Sequence, residues 1–272
     1  MSSSVIPDQS KRSTRTLLSV KDATVRYGGV TALSQLTFSV NEGEICALIG
    51  PNGAGKTTAF NAISRLVQLN SGSIAMSDKD LTGLRPDQIC RAGIMRTFQN
   101  LALWPNMTVI ENVMVGAHHM GKQGFISSTL RLRTHKEEVA LESVAMEALA
   151  RLGIGDLANT KCCSHPYGTL KRIELARALA GSPKLLLLDE PASGLTQGEV
   201  TELRDLIIRL REETDVTVLL VEHHMQLVMT IADWIVALDF GKKLVEGTAD
   251  FVQNNAELAE AYLGRRTKRV GA

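Results

Sequence analysis

Residues 50–57 of this chain read Gly50-Pro51-Asn52-Gly53-Ala54-Gly55-Lys56-Thr57, between the strand-like stretch Glu44–Ile49 and a helix-like stretch that starts at Thr58. These residues fill every fixed position of the phosphate-binding pattern G-x-x-x-x-G-K-[ST]. The glycines let consecutive N–H groups turn toward phosphates, Lys56 reaches the terminal phosphates, and the Thr57 hydroxyl suits a magnesium ion. We therefore predict that residues 50–58 bind a nucleoside triphosphate with Mg²⁺. The alternative is a chance glycine turn.

A second informative segment is Leu185-Leu186-Leu187-Leu188-Asp189-Glu190. A strand that is apolar at every position is typical of a parallel sheet covered on both faces. Ligands of such sheets bind at the carboxyl ends of the strands, so both acids should point into the crevice that the phosphate-binding loop lines. Asp189 suits the second shell of Mg²⁺, and Glu190 suits a base that polarises the attacking water. The alternative is an acid pair that caps the next turn.

Composition excludes several classes of function. The chain has 272 residues, of which 44% are hydrophobic and 22% charged, and its net charge is +1. This is typical of a globular protein, and it argues against a global nucleic-acid-binding surface. The four cysteines form no C-x-x-C pair, so neither a zinc site nor a disulfide framework is predicted, and a reducing cytoplasm is expected. No apolar run approaches the roughly 20 residues that span a bilayer, so a membrane role requires a partner.

The order of patterns along the chain predicts an α/β fold with a mostly parallel sheet. Two strands, Leu17–Tyr27 and Thr31–Val40, flank a Gly-Gly turn, and another strand lies near Ser73–Met76. Residues 87–179 show helical spacing, with Gly121–Ser128 as a loop, and form a predicted insertion. Strands and helices then alternate, which favours right-handed parallel crossovers. The predicted segments are strand Lys184–Leu188, helix Gln197–Arg211, strand Val216–Val221, helix His223–Ala232 and strand Trp234–Phe240.

The predicted domain organisation follows from these patterns. Residues 1–16 are expected to be a disordered tail and 265–272 a basic tail. Residues 17–264 are expected to form one domain, whose nucleotide-binding core comprises residues 17–86 and 180–264. The basic residues of the last segment are expected to form a solvated tail, and contact with anionic lipid is the alternative.

From Leu17 to Gly264 the spacing of these motifs resembles the ATP-binding subunits of ABC transporters. The resemblance implies a P-loop ATPase of ABC type and assigns roles to three more residues. Tyr27 would stack on adenine, Gln99 would reach magnesium or water, and His223 would contact the terminal phosphate. The alternatives are that Tyr27 is an aromatic residue of a strand, that Gln99 is an ordinary loop amide, and that His223 is the first residue of a helix.

Within that superfamily the chain most resembles the branched-chain amino acid importer ATPases, on the phrases Met107–Asn112, Val221–His223 and Ala261–Gly264. The resemblance implies permease subunits, a second related ATPase or a second copy as dimer partner, and an external solute-binding protein that acts indirectly. It places the protein on the inner face of the plasma membrane. A related exporter ATPase, a soluble ABC protein of translation or repair, and a weakly hydrolysing regulatory partner remain alternatives.

Two segments depart from the family pattern. The signature, Leu-Ser-Gly-Gly-Gln or Leu-Ser-Tyr-Gly-Gln in the family, falls on His165-Pro166-Tyr167-Gly168-Thr169, and the loop after the acidic strand reads Ser193-Gly194-Leu195-Thr196. In the family both serve the dimer interface, so residues 166–169 are the expected contact to the partner's ATP.

The apolar residues Leu101, Leu103 and Trp104 after Gln99 predict a permease docking patch, and packing of Trp104 into the insertion is the alternative.

Overall fold

The computed structural model describes residues 15–99, 101–118 and 131–255, with the backbone alone for residues 131–137. Its strands are β1 Thr16–Tyr27, β2 Val30–Asn41, β3 Ile45–Ile49, β4 Ser71–Met76, β5 Lys79–Asp80, β6 Ile94–Arg96, β7 Leu185–Asp189, β8 Thr217–Val221, β9 Trp234–Asp239 and β10 Lys242–Gly247. Its α-helices are α1 Lys56–Ile63, α2 Pro86–Arg91, α3 Val109–Ala117, α4 Arg131–Arg151, α5 Tyr167–Ala180, α6 Gln197–Thr214, α7 Met225–Ile231 and α8 Ala249–Gln253.

The central sheet has six strands in the order β10-β9-β3-β8-β7-β6. All neighbours pair in parallel except β10, which pairs antiparallel with β9. Both faces are covered. Leu186 and Leu188 of β7 pack in the cluster on one face, and Leu185 and Leu187 pack in the cluster on the other. This double burial explains why the strand is apolar at every position, and the prediction of a mostly parallel α/β sheet is confirmed.

A second sheet is antiparallel, in the order β2-β1-β4-β5. The turn Gly28–Gly29 joins β1 to β2 and pairs Tyr27 with Val30. Its buried residues, including Leu36 and Phe38, share a core cluster with Phe60 of α1. The predicted N-terminal antiparallel strands are confirmed, and they cover the face of the central sheet on which α1 lies.

Two predicted boundaries are wrong. Residues 87–179 are not wholly helical, because β6 runs parallel to β7 in the central sheet, with Ile94 opposite Leu185. Three residues are too few to reveal a period-2 alternation, so this strand gave no signal in the sequence. The predicted tail also ends earlier than residue 16, because Thr16 already pairs with Asn41.

Several predictions lie outside the described residues: most of the N-terminal tail (1–14), the loop at 121–128, the motif at 261–264 and the basic tail at 265–272. Two elements near the end of the described chain, β10 and α8, have no counterpart in the predicted segments.

The helical region that follows β6 consists of α3, α4 and α5. A capping box starts α3: Thr108 Oγ1 accepts the N–H of Glu111 at 3.3 Å, and Glu111 Oε2 accepts the N–H of Thr108 at 2.7 Å. Val113 of α3, Leu149 of α4 and Ile173 of α5 are buried together in the larger core cluster. Among the helices of the described ranges, none is long and apolar enough to cross a membrane.

Candidate active site

The loop between β3 and α1 has a backbone that requires glycine. Gly50 and Gly55 have positive φ angles of 148° and 103°. A Cβ at Gly55 would lie 2.8 Å from the carbonyl oxygen of Ala32, and one at Gly50 would meet the carbonyl oxygen of Leu238. The glycines are therefore fixed by sterics as well as by φ.

Lys56 at the start of α1 is buried and points back along this loop. Its Nζ donates to the carbonyl oxygens of Gly50 at 2.7 Å and Pro51 at 3.1 Å. Within the described residues, α1 has no side-chain cap and no acidic residue in its first turn. The positive end of the helix and the lysine together suit a phosphate group, as the sequence predicted.

The strand order places the predicted functional segments side by side. β8 lies between β3 and β7, and β6 lies beyond β7. Because all four strands are parallel, their carboxyl ends share one edge of the sheet. Four predicted functional segments lie at this edge: the phosphate-binding loop, Gln99, Asp189 with Glu190, and His223. Ligands of an open α/β sheet are expected to bind in the crevice at this edge.

Three predicted catalytic residues meet at one carboxylate oxygen. Gln99 Nε2 donates to Glu190 Oε2 at 2.8 Å, and His223 Nδ1 lies 3.8 Å from the same oxygen. Glu190 also has a φ of 47°, in the left-handed region that a non-glycine residue rarely adopts. A strained backbone of this kind is typical of functional sites, and here it aims the Glu190 side chain at the crevice.

The neighbouring acid, Asp189, makes a buried ion pair that sequence reasoning missed. Arg96 Nη2 lies 2.6 Å from Asp189 Oδ2, and the two side chains are 9% and 5% exposed. Thr97 Oγ1 accepts the N–H of Asp189 at 3.3 Å. The signal available in the sequence was a lone cation at the end of the apolar pair Ile94-Met95, immediately before Thr97.

The oxygen donors at this edge fit Mg²⁺. The Thr57 hydroxyl, the Asp189 carboxylate and the Gln99 amide oxygen are hard ligands of the type this ion prefers. No group of three or more His, Cys, Asp or Glu side chains in the described ranges could hold a metal ion alone.

Glu222 is a second residue that sequence reasoning missed. It is fully buried. Its Oε2 accepts the N–H groups of His223 at 3.0 Å and His224 at 3.1 Å, and its Oε1 accepts the N–H of Ala192 at 2.8 Å. One carboxylate thus fixes the loops after β7 and β8 relative to each other. The signal was an acid directly after the apolar strand Thr217–Val221.

Tyr27 lies at the end of β1, on the hairpin whose second strand contacts the phosphate-binding loop. Half of its surface is exposed. Ala32 and Leu33 of β2 lie within 3 Å of the position that a Cβ on Gly55 would take. The ring is therefore accessible for stacking, and the strand that pairs with β1 approaches the phosphate-binding loop.

The altered signature begins a helix, as predicted. Pro166 is the N-cap of α5, with φ −67° and ψ 160°, and in the described structure no side chain caps this helix. Tyr167 is exposed, and a Cβ on Gly194 would lie 2.9 Å from its ring. A cavity of about 370 Å³ lies between α5 and α6, and Gly168 and Thr169 line part of it. This cavity is distinct from the crevice at the phosphate-binding loop.

A buried acid joins α5 to the segment that carries Gln99. Glu174 Oε1 accepts the N–H of Phe98 at 3.0 Å and lies 3.7 Å from Arg177 Nη2. Burial raises the pKa of the Glu174 carboxyl, while the Phe98 N–H and the charges of Lys171 and Arg177 oppose that shift. The helix of the altered signature is thereby linked to the loop that reaches Glu190.

The apolar residues after Gln99 separate into a packed and an exposed part. Leu103 packs against the core, whereas Trp104 is 47% exposed. Asn112 fixes the backbone of Trp104: it accepts the Trp104 N–H at 2.8 Å and donates to the Trp104 carbonyl at 3.1 Å. Arg177 lies over the indole ring, 5.8 Å from its centroid. Trp104 therefore presents a rigid, accessible ring.

Comparison with known proteins shows the family to which this chain is similar. The ABC transporter family profile matches residues 33–193. The high-affinity branched-chain amino acid transport ATP-binding protein LivG of Escherichia coli (strain K12) is 41% identical over 250 residues, covering 91% of this chain and 98% of that protein. The protein of the same description named BraF, from Pseudomonas aeruginosa, is 38% identical over 252 residues, covering 92% and 98%. A crystal structure of the ADP conformation of an ATP-binding cassette of an ABC transporter has a TM-score of 0.80 at 27% identity, covering 92% of this chain and 100% of that chain.

Proposed function

Because this chain belongs to the ABC transporter family, we propose that it is the ATP-hydrolysing subunit of a membrane importer for branched-chain amino acids or a related small polar solute. The observation that carries the proposal is the meeting of Gln99 and His223 at Glu190 Oε2, beside the phosphate-binding loop. The choice of solute rests on the similarity to LivG and BraF over more than nine-tenths of the chain.

Each residue of the site has a physical role in this reaction. Lys56 and the backbone N–H groups of residues 52–58 bind the phosphates, and Tyr27 stacks on the adenine. Gln99 and His223 orient Glu190 through Oε2, which leaves Oε1 to take a proton from the attacking water. Thr57, Asp189 and Gln99 would hold a Mg²⁺ ion, which would supply positive charge to balance the charge on the phosphates.

The proposed assembly has permease subunits in the membrane and an external solute-binding protein that acts through them. The second ATPase is a related subunit or another copy of this chain. We propose no nucleic-acid partner, because a net charge of +1 argues against a global nucleic-acid-binding surface. The protein would bind the inner face of the plasma membrane through the permeases, at the exposed Trp104.

Uptake in cells lacking this chain tests the proposal. We expect loss of radiolabelled leucine uptake, rescue by the wild type and by Arg85→Ala, whose ion pair with Asp87 is exposed, and no rescue by Glu190→Gln. Excess unlabelled isoleucine and valine should compete with leucine. Unchanged leucine uptake together with lost urea or aromatic-acid uptake would overturn the solute assignment and keep the importer class. Unchanged uptake of every such solute would overturn the importer function.

A further inference from the structure

Arg96 connects the phosphate-binding helix to the acid at the end of β7. Its Nη1 donates to Asn61 Oδ1 on α1 at 2.8 Å, and its Nη2 pairs with Asp189 Oδ2 at 2.6 Å. Asn61 is five residues after Lys56, so the same guanidinium contacts the helix that follows the phosphate-binding loop and the predicted metal-binding acid.

Two aromatic rings lie against the guanidinium. Its Cζ lies 5.5 Å from the ring centroid of Phe60 and 5.4 Å from that of Phe98. Its Nε is buried and has no hydrogen-bond partner in the described structure. A buried N–H group without a partner costs free energy. Arg96 keeps its contact with Asp189 although this position leaves its Nε without a hydrogen bond to any described residue.

This pairing changes the charge that a metal ion meets. Within the described residues, Arg96 is the only group that donates to the Asp189 carboxylate. The other acid, Glu190, is bound by the neutral amide of Gln99. A divalent cation that arrives without nucleotide therefore meets one carboxylate, Asp189, that is already paired with a cation, and a second, Glu190, that is held by a neutral amide with His223 Nδ1 3.8 Å away. A nucleoside triphosphate brings several negative charges of its own.

We propose that Arg96 is an internal counter-ion for Asp189 that makes metal binding depend on the nucleotide. The guanidinium lowers the affinity of the empty site for Mg²⁺, so the ion binds with the phosphates and leaves with the product. The contact also orients Asp189, because Arg96 fixes its Oδ2. Arg96 is thus a positioning residue, and this inference rests on the proposed ATPase function.

Metal binding to the nucleotide-free protein tests this role, with Mn²⁺ as an EPR-visible probe. We expect weak binding by the wild type and binding at least about tenfold tighter by Arg96→Met, which removes the charge and keeps an apolar stem. Arg96→Lys, which retains the charge, should behave as the wild type. The matched control is Arg211→Met, which also removes an arginine from an ion pair, with Asp233, but at the opposite edge of the sheet, where Asp233 accepts the N–H of Ile45 at the start of β3.

Several outcomes would overturn the proposal. One is tight Mn²⁺ binding by the nucleotide-free wild type, and another is an unchanged affinity in a folded Arg96→Met protein. If Arg96→Met does not fold, Arg96→Gln, which keeps a neutral donor, is measured in its place, and an unchanged affinity there has the same meaning. An increase in the metal affinity of Arg211→Met equal to that of Arg96→Met would indicate general loosening and would also overturn the assignment. Failure of the wild type to bind Mg·ATP would instead contradict the proposed function.

Discussion

The side-chain amide of Gln99 donates a 2.8 Å hydrogen bond to Glu190 Oε2, although the two residues are 91 positions apart in the sequence. Gln99 follows β6 and Glu190 follows β7, so the bond joins two adjacent strand ends. His223, after β8, lies 3.8 Å from the same oxygen. The proposed base is therefore oriented by neighbours from both sides.

The first prediction concerns Gln99. Gln99→Leu removes the donor to Glu190 Oε2 while keeping the size of the side chain, so the carboxylate loses its orientation. We expect kcat for ATP hydrolysis to fall by about 10- to 100-fold, with the Kd for ATP changed much less. Gln197→Leu is the control, because among the described residues the Gln197 side chain hydrogen-bonds only to the exposed Gln226, at 3.4 Å. Equal rates for the Gln99 and Gln197 variants would contradict the role of this bond.

The second prediction separates binding from chemistry. Lys56→Ala removes the buried ammonium of the phosphate-binding loop and is expected to weaken ATP binding. Glu190→Gln keeps the shape of the side chain but cannot accept a proton, so binding should persist while hydrolysis is lost. Nucleotide affinity and turnover are measured in the assembled transporter. Wild-type turnover by Glu190→Gln would remove Glu190 from the mechanism.

The third prediction concerns the stability of α6. Its capping box has Thr196 Oγ1 accepting the Glu199 N–H at 3.4 Å and Glu199 Oε2 accepting the Thr196 N–H at 2.8 Å. Thr196→Ala is expected to lower the free energy of unfolding by about 1 kcal/mol in urea titrations. Thr201→Ala, in the middle of the same helix, should cause no comparable loss. A larger loss from Thr201→Ala would contradict the capping role.

The same box predicts a pH dependence. The backbone N–H of Thr196, followed by its hydroxyl, lowers the pKa of the Glu199 carboxyl from 4.5. Because the folded-state pKa lies below the unfolded value, this stabilisation is present above the unfolded pKa and is lost as the pH falls through the folded pKa. As the pH falls from neutral to acidic, the free energy of unfolding of Glu199→Gln should therefore decrease less than that of the wild type. An identical pH profile for both proteins would contradict this assignment.

Local sequence patterns predicted one part of the site, whereas the other part depends on contacts between residues that are distant in the sequence. The glycine spacing of residues 50–57 and the apolar run before Asp189 are visible in the sequence because each forms within one short segment. Arg96 is 93 residues from Asp189, and Glu222 is 30 residues from Ala192. Both contacts depend on the order of the strands, which no local pattern records. The strand β6 escaped prediction for the related reason that its partner β7 is distant in sequence.

The fourth prediction concerns the exposed ring of Trp104. A rigid, accessible aromatic side chain is suited to be an anchor at a protein interface. We expect Trp104→Ser to reduce co-purification with the permeases, while the ATP affinity of the isolated subunit stays unchanged. Phe240→Ser is the control, because Phe240 is 72% exposed and follows β9. Crosslinks from position 104 that join only residues of this same chain in the assembled transporter would contradict docking there.

The fifth prediction concerns the altered signature, which in the proposed dimer lies against the partner's ATP. Pro166 supplies neither a hydroxyl nor an N–H group to the terminal phosphate. The N–H groups of Gly168 and Thr169 lie in the first turn of α5, which no side chain in the described structure caps, so the positive end of the helix still suits a phosphate. The expected effect is a moderate loss of hydrolysis at the site that uses Pro166.

This loss makes the two ATP sites of a heterodimer unequal when the partner has a complete signature. The site built on Lys56 and Glu190 of this chain should be the faster one, because the partner's intact signature completes it. Inactivating Glu190 should therefore reduce transport more than inactivating the equivalent glutamate of the partner. Pro166→Ser, which restores a hydroxyl and an N–H group, should reduce the difference between the two sites. Transport by a reconstituted transporter carrying each single mutation measures the asymmetry, and equal losses from the two glutamate mutations would show that Tyr167 and Gly168 suffice for a functional signature.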